Sequence, residues 1–67
     1  MGFRKGDEVR WSTSQGETHG TAKERRTKDF QFDGQQFRAS DDDPYWIVES
    51  EKTGAQAAHK ESTLDAS

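Results

Sequence analysis

The sequence contains no cysteine, a single proline and no long apolar run. Without cysteine, the chain can form neither a disulfide nor a thiolate metal site. No segment approaches the roughly 20 apolar residues that a membrane-spanning helix needs, and the N-terminus lacks the apolar core of a signal peptide. We therefore expect a soluble, cytoplasmic protein with no membrane partner.

Apolar residues are also scarce, since they make up 27% of the 67 residues. Chains with so little apolar surface to bury lie close to the disordered class. Seven aromatic residues and repeated period-two alternation of apolar and polar residues favour a folded chain instead. We predict one all-β domain with a small core over residues 1–67, of which residues 65–67 fray.

Charge is distributed unevenly along the chain, whose net charge is −3. Residues 1–28 carry seven Lys and Arg against four Asp and Glu, whereas residues 29–67 carry three against nine. A basic first part and an acidic second part disfavour a nucleic-acid-binding protein with a wholly cationic surface. This distribution does not exclude a basic stripe that is confined to one strand.

Turn residues separate the alternating segments. Asp33-Gly34 is the strongest hairpin signal, because Asp-Gly readily adopts the positive φ angles of a two-residue turn. This turn sets Phe30 opposite Phe37, an aromatic cross-strand pair. The predicted strands are residues 7–12, 17–27, 30–32, 35–37, 45–50 and 55–60.

Other local signals refine this pattern. Gly20, inside the long second strand, suggests a bulge or a bend. Ala22, the single apolar residue of that strand, is expected to face a crowded core. Residues 41–44 form a run of aspartates closed by proline and predict a tight, extended corner. A helical turn at residues 62–64 would place Leu64 on the open end of a barrel.

Fragments along nearly the whole chain match a known pattern in order and spacing. They are Phe3, Lys5-Gly6-Asp7, Val9, Trp11, Gly16, Gly20, Ala39-Ser40, Asp42-Asp43-Pro44, Trp46-x-Val48-x-Ser50-x-Lys52-Thr53-Gly54, Ala57-Ala58-His59-Lys60 and Leu64. With them the chain resembles the hypervirulence-associated TUDOR-like domains, a family of small bacterial and fungal proteins of unknown function. The resemblance implies an SH3-like, Tudor-like barrel of about five antiparallel strands. Trp46 departs from the family, which more usually has tyrosine there, and Ala22 replaces a larger aliphatic residue.

The resemblance also implies a face assignment for the longest apolar strand. Trp46, Val48 and Ser50 take the inward positions. Tyr45 and Ile47 then point outward and need a cover, because exposed apolar clusters usually mark contact sites. The aromatic hairpin is the nearest candidate for that cover.

Tudor-like barrels that read methylated lysine or arginine hold the cation among three or four aromatic rings, with an acid at the rim. Core packing is the competing and favoured interpretation here, because few other large apolar residues are present. The hydroxyl and outward position of Tyr45 suit a rim best. The candidates for ligand or partner binding are Tyr45, Ile47, Trp11, Trp46, Phe30, Phe32, Asp42 and Asp43.

The remaining polar residues match no pattern of a metal-binding or catalytic site. The aspartates at residues 41–43 lack the Asp-x-Asp-x-Asp-Gly spacing of a calcium loop and indicate a solvated turn. His19 and His59 have no second histidine or cysteine at ligand spacing. We predict no metal, no cofactor and no catalytic residue, and therefore not an enzyme.

One basic run lies near the end of the second strand: Lys23, Arg25, Arg26 and Lys28. Strand alternation places Lys23 and Arg25 on one face and the other two on the opposite face, unless a bulge intervenes. A solvated edge strand, protected from aggregation by its charges, is the favoured interpretation. The alternative is RNA binding in the manner of KOW-type barrels.

The predicted function is a non-enzymatic binding module for a protein or peptide, including a second copy of the chain. The predicted contact face comprises Tyr45, Ile47 and the adjacent aromatic hairpin. This prediction depends on the number of aromatic residues, which exceeds what one inward face can hold.

Overall fold

The computed structural model describes residues 3–66, and its regular structure is almost entirely strand. This confirms the predicted all-β class. A 3₁₀ helix at Glu61–Thr63 connects the last two strands. The strands are β1 (Glu8–Thr13), β2 (Gly16–Arg26), β3 (Phe30–Phe32), β4 (Gln35–Phe37), β5 (Tyr45–Ser50), β6 (Gln56–Lys60) and β7 (Asp65–Ala66).

Five strands form one antiparallel sheet in the order β6-β5-β2-β1-β7, and β3 pairs with β4 as a separate hairpin. The sheet curls strongly. The rings of Trp11 on β1 and His59 on β6 approach to 5.3 Å, although flat strands three positions apart would lie about 14 Å from each other. Within residues 3–66 no pairing between β6 and β7 closes the sheet, so the closed barrel stays a prediction.

The concave face of the curled sheet holds the core. Val9, Ala22 and Val48 have no exposed surface, and Trp46 is 2% exposed. Leu64, directly after the 3₁₀ helix, joins the same cluster. The burial of Ala22 and the inward positions of Trp46 and Val48 are therefore confirmed. The predicted helical turn is present one residue earlier, at Glu61–Thr63, and Leu64 follows it.

Gly20 is not the site of a bulge, contrary to one of the predicted alternatives, because it pairs regularly with both neighbouring strands. Its role is steric. A Cβ atom there would lie 2.7 Å from Cη2 of Trp11 and closer still to the carbonyl oxygen of Glu49. A glycine is required where a backbone and a large ring approach a strand this closely.

The bulge lies farther along β2. Ala22 pairs with Val48 and Glu24 with Ile47, so Lys23 is the extra residue. A single inserted residue reverses the side-chain alternation that follows it. Arg25 and Arg26, which follow the bulge, therefore point to the faces opposite to those that simple strand alternation predicts.

The predicted hairpin is confirmed. Asp33 and Gly34 have φ angles of 53° and 77°, which suit the tight hairpin turn. Phe30 lies opposite Phe37 in the register. The hairpin therefore forms where local turn chemistry predicted it.

The two remaining local predictions have different outcomes. At the predicted corner, Ser40 and Asp43 exchange two backbone hydrogen bonds of 3.2 and 3.3 Å. At the C-terminus, where we expected fraying, Asp65 and Ala66 pair with β1 as β7. Ser67 lies outside the described residues. Over the part of the chain that the structure describes, no helix has the length and apolar content to cross a bilayer.

Candidate functional site

Three aromatic rings meet on the face of β5 opposite the core. Phe30 and Phe37 stack with their centroids 5.2 Å apart. Tyr45 meets Phe30 edge-on at 5.7 Å and Phe37 at 5.3 Å. All three residues are half-buried. This outer ring cluster (Phe30, Phe37 and Tyr45) shows that the hairpin covers Tyr45, as the face assignment predicted.

Ile47 points to the same side of β5 but is only 6% exposed. It does not belong to the core cluster. Its cross-strand partner Ala58 lines a shallow cavity of about 220 Å³ together with Phe32 and Phe37. We call this cavity the hairpin groove. Because Ile47 is buried, it supports the surface rather than presenting a side chain to a partner.

The predicted aromatic set divides between the two faces of the sheet. Trp11 and Trp46 are buried in the core, whereas Phe30 and Tyr45 lie on the outer face. The five predicted rings therefore do not surround one cation. The guanidinium carbon of Arg26 lies 5.6 Å from the Phe30 centroid, so a cation of the chain itself contacts the outer ring cluster.

Two aspartates were candidates for the acidic residue at the rim of the aromatic site. Asp43 is engaged in an ion pair, and Asp42 is exposed. The Nζ of Lys60 lies 3.1 Å from Oδ2 of Asp43. This hydrogen bond and the carboxylate charge raise the pKa of Lys60. Lys60 pairs with Tyr45 in the register, so the ion pair borders the outer ring cluster.

The bulge at Lys23 brings two cations of the basic run to the outer face. Lys23 lies 3.5 Å from Glu49, and Arg26 forms an ion pair with Glu24. Arg25 is placed on the opposite face, and Lys28 follows the end of β2. In the described part of the chain, neither Arg25 nor Lys28 has a carboxylate within 4.0 Å. The run is therefore not a continuous basic stripe.

A larger cavity, which the sequence did not predict, lies where the β1–β2 and β5–β6 turns converge. Its volume is about 830 Å³. We call it the open-end groove. Both turns could be recognised in the sequence, but their convergence follows from the strand order, which no local pattern specifies. The residues that line it include Trp11, Thr13, Thr18, Ser50, Gln56 and Ala57.

His59 is half-buried and packs against Trp11, a residue that also lines the open-end groove. Burial lowers the pKa of His59, because the charged imidazolium loses hydration. Among residues 3–66, no three His, Asp or Glu side chains come together in an arrangement that could hold a metal ion.

A family model described as "Hypervirulence associated proteins TUDOR domain" matches residues 6–64. The matched range contains the complete strands β1 to β6 and ends at Leu64 of the core. No curated protein and no solved structure matches the chain.

Proposed function

This chain belongs to the family of hypervirulence-associated TUDOR domains, as its sequence predicted, and we propose that it is a non-catalytic module that binds a protein or peptide through the outer ring cluster. TUDOR-type domains are generally binding modules rather than catalysts. They generally bind proteins or peptides, and sometimes nucleic acids.

The position of the outer ring cluster, partly exposed on the face away from the core, carries the proposal. A chain with 27% apolar residues keeps the half-buried rings of Phe30, Phe37 and Tyr45 on a face separate from its core. Aromatic residues and arginine are enriched among the residues that dominate interface energies. Arg26, stacked over Phe30, adds the second of these types.

The surroundings of the cluster also suit an interface. The Lys60–Asp43 pair lies beside Tyr45, and the Arg26–Glu24 pair lies beside Phe30. An apolar centre surrounded by polar, charged groups is the usual anatomy of a protein interface. Exposed ion pairs of this kind add specificity more than affinity.

Nucleic-acid binding through Lys23, Arg25, Arg26 and Lys28 has less support. Lys23 and Arg26 are both paired with carboxylates. Binding to phosphates would have to displace Glu49 and Glu24 from those cations. The protein-binding proposal requires no such rearrangement.

Selection of displayed random peptides against the wild-type chain, followed by affinity measurement on the enriched peptides, tests the proposal. We expect Tyr45→Ser to weaken binding at least about tenfold, as loss of an aromatic anchor does. Ser12→Ala, at an exposed position of β1 that lines neither cavity, should leave binding unchanged and is the matched control. Sedimentation velocity covers the case of self-association, where Tyr45→Ser should dissolve the dimer. A strict monomer that enriches no peptide, or binding unaffected by Tyr45→Ser, would refute the proposal.

A further inference from the structure

β6 forms one edge of the five-stranded sheet. In the described part of the chain, no strand pairs with its outer side. The β3–β4 hairpin comes close enough to enclose the hairpin groove but does not join the sheet. An edge of this kind presents unpaired backbone donors and acceptors.

The hydrogen bonds at both ends of the β5–β6 pair define which backbone groups are free. The amide of Ser50 donates to the carbonyl of Ala55 at 2.8 Å, and the amide of Glu61 donates to the carbonyl of Pro44 at 2.9 Å. In an antiparallel ladder the bonded pairs recur at every second residue. The residues of β6 whose N–H and C=O point away from β5 are therefore Gln56, Ala58 and Lys60.

Two cavities meet at this edge. Gln56 and Ala57 line both the open-end groove and the hairpin groove. The first groove contains Trp11, and the second contains Phe32 and Phe37. Successive side chains of an added strand point to opposite faces, so they would enter the two grooves in turn.

The edge also lacks the usual protection. Ala57 and Ala58 have small side chains, and β6 contains neither a proline nor a bulge. In natural proteins an edge strand is normally protected by a proline, a bulge or charged side chains. The charge on β6 at neutral pH is that of Lys60, at its end, which Asp43 holds in an ion pair.

The charges around the grooves indicate the chemistry of the occupant. The open-end groove is lined by the carboxylates of Glu17 and Glu51 against the single ammonium of Lys52. Residues 29–67 as a whole carry nine acidic residues against three basic ones. Basic side chains therefore suit the open-end groove, whereas the phenylalanines and alanines of the hairpin groove suit aliphatic ones.

We propose that β6 captures an extended strand of a partner protein in which basic and aliphatic residues alternate. The backbone of that strand pairs with Gln56, Ala58 and Lys60. Its basic side chains enter the open-end groove and its aliphatic side chains enter the hairpin groove. Strand addition of this type takes affinity from main-chain bonds and specificity from alternate side-chain pockets. The inference rests on the proposed binding function and adds a second, distinct contact place together with the chemistry of its ligand.

A fluorescein-labelled peptide of alternating Lys and Val residues, titrated into the full chain, tests the inference. Ala58→Pro removes an outward N–H but no bond to β5, since proline is tolerated at such edge positions. We expect it to weaken binding about tenfold, the effect of one lost hydrogen bond and a steric block. Ala58→Gly loses the methyl group that lines the hairpin groove but keeps the N–H, so it should retain more binding than Ala58→Pro. A peptide with Glu in place of Lys should also bind at least about tenfold more weakly.

The results of this titration distinguish strand capture by β6 from binding at the outer ring cluster. Binding lost in Tyr45→Ser but unchanged in Ala58→Pro overturns the strand-capture inference and leaves the outer ring cluster as the binding site. Equal binding of the Lys and Glu peptides, or no binding of the Lys peptide, also overturns it. A dimer that Ala58→Pro dissolves would identify a second copy of the chain as the occupant and likewise refute a basic partner strand. If the NMR spectrum of Ala58→Pro lacks the amide chemical-shift dispersion of a folded protein, Gln56→Pro replaces that variant. It removes another N–H that points away from β5.

Discussion

The indole Nε1 of Trp46 donates a 2.7 Å hydrogen bond to Oε2 of Glu61. This bond ties the centre of the core to the 3₁₀ helix that precedes Leu64 and β7. Trp46 is 2% exposed, so water cannot readily replace the carboxylate as acceptor. The more deeply buried of the two core tryptophans thus depends on an acidic residue of a connecting segment.

Glu61→Ala should destabilise the fold by about 1–3 kcal/mol, because it leaves a buried indole N–H without an acceptor. Glu61→Gln keeps an amide oxygen in the same place and should lose less than half as much. Urea unfolding followed by tryptophan fluorescence measures both. Equal losses in the two variants would show that the hydrogen bond is not responsible.

Gly20→Ala should cost about 3 kcal/mol or more, because a Cβ there would overlap the backbone of Glu49 and the ring of Trp11. Gly54→Ala is the matched control: its φ is 75°, but nothing lies within 4 Å of the added Cβ. Backbone strain alone should then cost about 1 kcal/mol. Chemical denaturation of both variants gives the comparison, and a smaller loss for Gly20→Ala than for Gly54→Ala would contradict it.

Ala22→Leu should destabilise the protein by about 1–3 kcal/mol, since three methyl-sized groups must enter a fully packed core. Ala22 has no exposed surface, whereas Ala55 is exposed in the β5–β6 turn. Ala55→Leu should therefore stay within about 0.5 kcal/mol of the wild type. Thermal unfolding distinguishes them. A stabilised Ala22→Leu protein would mean that the core holds space for a larger aliphatic residue.

Local features were predictable from the sequence because they depend on neighbouring residues. Asp33-Gly34 specifies its turn by backbone preference alone, and the register Phe30–Phe37 follows from the two-residue loop. The alternation within residues 7–12 likewise places Val9 and Trp11 on one side of the strand, and both are buried.

Features that depend on three-dimensional strand order were not predictable. Lys23 looks like any other polar strand residue, and its role as the bulge arises because β2 must pair with β1 along one part and β5 along another. Gly20 was recognised as special, but its cause is the approach of Glu49 and Trp11 from two other strands. Neither of these contacts can be recognised from the residues next to Gly20 in the sequence.

The candidate site was predicted only in part for the same reason. The sequence shows that there are more rings than one core face can hold, and the cluster around Tyr45 agrees with that reasoning. It could not show that Trp11 is a core residue which also lines the open-end groove. That dual position results from the curl of the sheet.

Stability should depend on pH through His59. Burial lowers its pKa from 6.5 in the folded state, so the unfolded chain binds the proton first. Well above pH 6.5 both states are neutral at this residue and it has no effect. As the pH falls through 6.5, stability is lost until the lowered folded-state pKa is passed.

Urea midpoints measured from about pH 7.5 to about pH 5 cover this window. His59→Gln should show a flatter pH dependence than the wild type. An unchanged slope in His59→Gln would assign the dependence to other groups.

β5 is covered on both sides, by the core through Trp46 and Val48 and by the hairpin side through Ile47. Three consecutive positions are consequently intolerant of polar substitution, although an ordinary surface strand tolerates it at every second position. A deep mutational scan should therefore find an unbroken block of sensitivity here. From such data alone, this strand of a 67-residue chain would pass for the central strand of a much larger layered protein.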